Sequence, residues 1–300
     1  MAAGDALRLL LLAAMWGASF LFLRIAATAL SPATLIESRT LLAALVLFGV
    51  ALARGRPLRW RQFWREYLIL GLSMAAVPFL LTAWAAQSLS ASLMAILNAT
   101  SPVWGALIAS LWFRRRPPAR ALAGLALALA GVVALVGVDR TGNSGGLPPV
   151  LAMLAAAACY GLGSTWIQAR AQASPGRAHA DPADAAHGSL WAASLVVLPL
   201  ALASPPAAVP DLEIVVAVLA LGMLSTGVGY LIYFGLVSRI GPMGALTVTF
   251  LNPLFAALWA ALVLGERITP QGALAGVAIL VGTALATGFS PRSLWRRANA

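Results

Sequence analysis

Apolar positions in this chain neither alternate as in a strand nor form a stripe as on a surface helix; they run. Stretch after stretch of mainly apolar residues is separated only by short polar breaks, and a bilayer core is crossed by about 20 such residues in a helix. Ten stretches qualify: 7–29, 33–53, 67–87, 91–113, 119–138, 147–169, 186–204, 212–236, 243–264 and 271–289. Turn-forming residues fall between them: Ser31-Pro32, Pro117-Pro118, Gly145-Gly146 with Pro148-Pro149, Pro205-Pro206, Gly241-Pro242 and Thr269-Pro270. The pattern predicts an all-α membrane protein of ten transmembrane helices. The first is expected to stay in the chain, because its apolar run is too long for a cleaved leader and no soluble domain follows.

Composition agrees. Apolar residues make up 61% of the chain and charged ones 10%, with mean hydropathy +0.89, against about 45–50% and about 25% in soluble domains. All twenty basic residues are arginine. Without lysine, a P-loop ATPase and a Schiff-base enzyme are excluded. One Cys and two His exclude a disulfide framework and a Cys/His metal cage, so no cofactor is expected.

Sixteen arginines fall on one side of the ten-span layout: Arg8, the 2–3 loop, the 4–5 loop with Arg114, Arg115 and Arg116, then Arg170, Arg177, Arg239 and the tail. Only Arg140 and Arg267 fall on the other. By the positive-inside rule both termini are cytoplasmic. The scatter beside lipid headgroups points to membrane lipid as the partner of this charge, not nucleic acid, and no obligate protein partner is evident.

The chain also repeats itself. Shifted by 151 residues, 70–116 aligns without a gap on 221–267: Leu70-Gly71 on Leu221-Gly222, Val77 on Val228, Pro102 on Pro253, Arg116 on Arg267. Trp16-Gly17 is echoed by Tyr160-Gly161. The expected organisation is a first five-helix repeat over 1–140, a second over 146–290 and a cytoplasmic tail over 291–300. Five spans is an odd number, so the second copy is expected to be inverted, which places a substrate site between the halves near the midplane.

Several motifs carry a family resemblance. Trp16-Gly17-Ala18-Ser19-Phe20 with Arg24 resembles a Trp-Gly-x-x-Phe opening followed by a basic residue. Glu37-Ser38-Arg39 with Ala43 resembles an Arg-x-x-x-Ala helix start. Asn252-Pro253, Leu264-Gly265-Glu266 and Gly272 with Gly276 resemble a Pro…Gly-Glu…Gly-x-x-x-Gly signature. Together they resemble the drug/metabolite transporter superfamily, in its ten-helix EamA-type exporters, over about residues 7–289. The first half departs from the Gly-Glu pattern, with Arg114-Arg115 in its place. The resemblance implies export of small metabolites, often amino acids, from the bacterial cytoplasm across the inner membrane; some relatives move aromatic amino acids.

Polar residues inside spans usually face the bundle interior. In the fourth span Met94, Asn98, Ser101 and Gly105 share a helical face, and in the ninth Ala245, Thr249, Asn252 and Ala256 do. Pro102 and Pro253 are each expected to kink the helix and free a carbonyl one turn back, at Asn98 and Thr249. Paired kinks in two repeats point to a transporter site, although helix–helix glue accounts for single residues as well. Pro78, Phe79 and Thr82 map onto Gly229, Tyr230 and Tyr233, and Trp16, Ser19, Tyr160 and Ser164 complete the candidate substrate-binding set. Such a cavity, with hydroxyls, amides and aromatic faces but no fixed charge, suits a zwitterion or neutral solute. Arg24, Glu37 and Arg39 are expected near the outer surface, with Arg24 paired to Glu37 and Arg39 capping the cluster, as a gate or a hold on a substrate carboxylate.

A different neutral metabolite or drug is the alternative cargo. A channel would need a continuous polar file and an intramembrane enzyme a catalytic pair within the spans; neither pattern occurs, so no catalytic residues are expected.

Overall fold

The computed structural model describes residues 3–55, 58–138, 146–173, 180–245, 247–267 and 269–287. The regular structure among those residues is all helical, without strands. The helices in order are span 1 (Ala3–Ala26), span 2 (Pro32–Ala53), span 3 (Trp60–Gly71 continuing to Ala86), span 4 (Ala91–Asn98 and Ser101–Trp112) and span 5 (Ala119–Val138). Span 6 (Leu147–Ala173), span 7 (Pro182–Leu202), span 8 (Leu212–Ala245), span 9 (Val248–Leu264) and span 10 (Pro270–Thr287) follow. Eight of the ten are long and apolar enough to cross a membrane; described stretches of spans 5 and 9 are shorter apolar helices. The protein is a multi-pass membrane protein.

Three of the boundaries that differ from the hydropathy pattern do so for a clear local reason. Span 3 begins at Trp60, not 67, because its first turns are amphipathic: Phe63, Tyr67 and Leu70 are buried while arginines and Trp64 stay outside. Span 7 begins at Pro182, where the Asp181 carboxylate accepts the Ala183 N–H at 3.0 Å and proline occupies the first turn. Span 8 does not stop at residue 236. Its helix runs through Gly241-Pro242 to Ala245, since proline's fixed φ is itself helical and removes only one donor.

Both repeats contain an unexpected feature at the same place. Residues Leu72–Ala76 of span 3 and Ala220–Val228 of span 8 are wound as π-helix, and under the 151-residue shift the first lies inside the second. Such bulges shift the register of the downstream side chains and expose carbonyls to other partners. The Trp16 indole takes one, donating to the Ser225 carbonyl at 3.0 Å, while the Ser225 hydroxyl donates to the Met15 carbonyl.

Packing exchanges the halves. Span 1 lies on spans 8 and 9, span 6 on spans 3 and 4, span 2 on spans 7 and 8, span 3 on span 7, and span 5 on span 10. Every one of these contacts joins one repeat to the other. The repeated glycines are what let them form. A Cβ on Gly17 would sit 2.6 Å from the Phe255 Cβ and 2.8 Å from the Ala256 nitrogen; one on Gly161 would sit 2.7 Å from the Gly105 nitrogen. The Trp-Gly and Tyr-Gly echo therefore marks two equivalent crossings where backbones touch. Gly71 and Gly222 form a second such pair, against the Ser189 and Arg39 carbonyls respectively. That correspondence makes Ser189 the structural counterpart of Arg39.

Candidate functional site

Successive helical residues turn by about 100°, so positions 37 and 39 point nearly opposite ways from span 2. Arg39 is directed at spans 3 and 8. Its guanidinium carbon lies 3.6 Å from the Phe79 ring centroid, and its Nε donates to the Thr226 hydroxyl at 3.0 Å. The Thr226 hydroxyl in turn donates to the Leu221 carbonyl within the π-helical segment, which fixes its lone pair towards Arg39. Tyr160 and Tyr230 stand within electrostatic reach of the guanidinium. Arg39 is only 8% exposed. No carboxylate pairs with it among the described residues, and its Nη groups have no hydrogen-bond partner there.

Rings extend the cluster. Trp16 meets Tyr230 edge-on at 6.4 Å and Tyr233 at 5.4 Å; Phe234 closes on both tyrosines at 6.1 and 5.5 Å. These are ordinary distances for favourable aromatic pairs. Four members form two equivalent pairs in the repeats: Trp16 with Tyr160, and Phe79 with Tyr230. An aromatic box contributed by both halves thus gathers beside one arginine, with Phe79 stacked on it and Tyr160 and Tyr230 within electrostatic reach.

The three-charge cluster expected near the outer surface does not form. Arg24 donates to the Ala86 carbonyl at 2.7 Å, where the end of span 3 leaves backbone acceptors unused. Glu37 faces span 7, and its Oε1 accepts the Ser194 hydroxyl at 2.6 Å; its Oε2 is buried without a partner. The expectation of an interior without fixed charge fails for the same reason: Arg39 sits among the aromatic residues assigned to the cavity.

Other sequence candidates are placed as follows. The hydroxyls of Ser19, Thr82, Ser101 and Ser164 donate to the Trp16, Pro78, Asn98 and Gly161 carbonyls of their own helices. This is local back-bonding, common for Ser and Thr in spans. The Asn98 carbonyl is therefore taken by Ser101 rather than left free. Span 4 is interrupted between Asn98 and Ser101, but span 9 passes through Pro253 as one helix, so the kinks are not matched. Pro78 is buried in the first turn after the π-helix. Asn98 and Thr249 are half-buried, and Asn252 is buried with its Oδ1 lacking a donor. The backbone carbonyl of Asn252 lies against Gly17. No described hydrogen bond or ring contact ties Asn98, Ser101 or Ser164 to the Arg39 cluster, and Ser164 is exposed.

Sequence reasoning missed Thr226, Phe234 and Ser194. Ser225-Thr226 was the available signal, a polar pair inside an apolar run. It also missed Glu66, buried and 3.3 Å from Arg170, and the role of Glu266. The Glu266 carboxylate accepts the Ala91 N–H at 2.9 Å, the Ser92 hydroxyl at 2.9 Å and the Ser92 N–H at 3.3 Å. It thereby caps span 4 from the loop after span 9.

Comparison with known proteins matches residues 5–137 and again 147–288 to the EamA-like transporter family. The chain belongs to the EamA-like transporter family. Its two matches coincide with the two sets of spans whose contacts interlock above, and membership brings the general activity, membrane transport of small solutes. A solved structure described only as "Crystal structure of protein" superposes over 100% of both chains with a TM-score of 0.67 at 19% identity, a likeness of fold alone. No curated protein sequence matches the chain. Within an EamA-like transporter the Gly-Glu motif at 265–266 acquires a concrete task here, the capping of span 4.

Proposed function

We propose that the protein is a secondary transporter that exports small metabolites, amino acids among them, from the bacterial cytoplasm across the inner membrane. The observation that carries this reading is the aromatic box: Trp16, Phe79, Tyr160 and Tyr230, supplied in equivalent pairs by the two repeats and gathered where the halves meet. Five spans per repeat invert the second copy relative to the first, and the arginine bias puts both termini in the cytoplasm. A site shared by inverted halves can be exposed to either side in turn as one half rocks on the other.

The chemistry suits such cargo. Rings hold an apolar side chain, Arg39 offers unused donors, and Asn252 Oδ1 is a buried acceptor without a donor. Arg24 at the end of span 1 and Glu37 of span 2, held against span 7 by Ser194, belong to the closure of the outer end in this scheme. The remaining candidates, Ser19, Pro78, Thr82, Asn98, Ser101, Ser164, Tyr233 and Thr249, shape the walls.

Counterflow in proteoliposomes tests the proposal. Vesicles preloaded with unlabelled amino acid should accelerate saturable uptake of the labelled compound. Uptake that neither saturates nor responds to preloading would indicate a pore and overturn alternating access.

A further inference from the structure

We infer that Arg39 is the residue that recognises the cargo, by binding a carboxylate, and that an amino group on the cargo is dispensable. The inference deepens the export reading and rests on the same site.

Three observations converge. First, the guanidinium is buried in a membrane bundle with no acidic partner among the described residues. A charge there is costly unless paired, and the nearest carboxylate in sequence, Glu37, turns away to Ser194 at 2.6 Å. Second, the residue is oriented but not saturated. Phe79 stacks on one face at 3.6 Å and Thr226 takes the Nε proton at 3.0 Å, which leaves the Nη fork, the part of arginine that matches a carboxylate in two parallel hydrogen bonds. Third, the arginine breaks a symmetry that its surroundings keep. Phe79 corresponds to Tyr230 and Trp16 to Tyr160, yet the counterpart of Arg39 is Ser189, whose hydroxyl is used locally on the Ala186 carbonyl. A cation needed to hold the fold together would be expected at both equivalent crossings. A single one fits the single charge of a single bound solute.

The arrangement commits the cargo class. A carboxylate lies on the Nη fork, and an apolar body of aromatic size lies against Tyr160, Tyr230 and Trp16. A cation without a carboxylate meets the guanidinium as a like charge. No described carboxylate faces the box to draw an ammonium in, so monocarboxylates with and without an amino group both qualify.

The test measures quenching of tryptophan fluorescence in purified full-length protein, and counterflow in proteoliposomes, with three probes of one shape. These are L-phenylalanine, 3-phenylpropionate, which keeps the carboxylate alone, and phenethylamine, which keeps the ammonium alone. The expected result is binding and counterflow of the first two and not the third. R39Q should weaken the carboxylates about tenfold or more, with R39K intermediate because it restores the charge but not the fork. Binding of phenethylamine as tight as 3-phenylpropionate, or unchanged carboxylate binding in R39Q, would overturn the assignment while leaving export intact. Carboxylate-selective binding without counterflow would overturn export and leave the assignment standing. If neither carboxylate binds the wild-type protein, the assignment is wrong. The wild-type comparison needs no variant, so poor folding of R39Q cannot rescue the idea.

Discussion

Removing the Glu266 carboxylate should loosen the start of span 4, and the size of the effect can be worked from the contacts. The helix beginning at Ala91 leaves its first N–H groups without intrahelical partners. Ser90 serves one, accepting the Leu93 N–H at 3.2 Å. Glu266 serves the Ala91 and Ser92 N–H groups and the Ser92 hydroxyl, a negative charge at the positive end of a helix. One N-cap contact is worth about 1 kcal/mol and hydrogen bonds to a charged group about 1.5–3 kcal/mol each. Glu266 is only half-buried, so water replaces part of what is lost. Glu266→Ala should therefore cost about 2 kcal/mol, a fall of a few degrees in Tm by the scaling for chains of this size.

The assay is thermal unfolding of the purified protein in detergent, followed by size-exclusion fluorescence. Ser92→Ala removes only the hydroxyl contact and should lower Tm less. The double variant should fall short of the sum, since both substitutions delete the same bond. A Glu266→Ala protein as stable as wild type, or full additivity with Ser92→Ala, would refute the capping account. Gly265 makes the geometry possible. Its φ of 65° ends span 9 in the left-handed region and lets the Glu266 N–H close on the Ala260 carbonyl at 3.1 Å.

The same turn in the first repeat yields a gain. Arg114, the counterpart of Gly265, adopts a φ of 52°, which costs a side-chain-bearing residue about 1 kcal/mol or more; Arg114→Gly should raise Tm slightly, as read in the same melt. Gly17→Val should lower stability by about 2–4 kcal/mol or abolish accumulation, because the added carbons meet the backbone of span 9, whereas the same change at Gly235, which has open space, should be far milder by membrane level. Glu37→Gln should keep stability within about 1 kcal/mol of wild type, since an amide oxygen still accepts the Ser194 hydroxyl, and Glu37→Leu should lose that bond and destabilise; equal melts for the two variants would contradict the buried contact. Asn252→Ala should reduce counterflow of L-phenylalanine without lowering membrane level, while alanine at Arg292, Arg296 and Arg297 should leave transport intact.

Spans were legible because a bilayer imposes one length and one composition on every helix that crosses it. The repeat was legible where backbones cross, since only glycine fits at Gly17, Gly71, Gly161 and Gly222, and such constraints survive divergence. Span ends were less so: Trp60–Glu66 is helical but amphipathic, and Gly241-Pro242 lies inside a helix rather than between two. The site was half legible. Trp16, Phe79, Tyr160 and Tyr230 stand out as aromatics at repeated positions. The direction of Arg39 does not, because depth along span 2 is readable from sequence but the facing neighbour is set by how spans 3 and 8 pack. The π-helical turns compound this. They rotate the residues beyond Ala76 and Val228 away from the phase a regular helix predicts, and no residue pattern in an apolar run announces them.

Where the two repeats agree, the residues serve contacts that both copies must make; where they disagree, one copy does something the other does not. Gly71 and Gly222 agree and touch backbone in equivalent places. Gly265 and Arg114 agree in conformation though not in residue, so the turn is structural in both. Arg39 and Ser189 disagree, and so do Glu266 and Arg115. Packing alone asks for neither difference: Ser189 shows that the crossing tolerates a small hydroxyl, and Arg115 that the turn tolerates an exposed cation. One difference places a charge inside the box shared by the halves. The other fastens the loop after span 9 to the start of span 4 at the arginine-poor end. These two departures make the halves inequivalent where their fold is shared, one in the charge of the interior and the other in what a loop contacts.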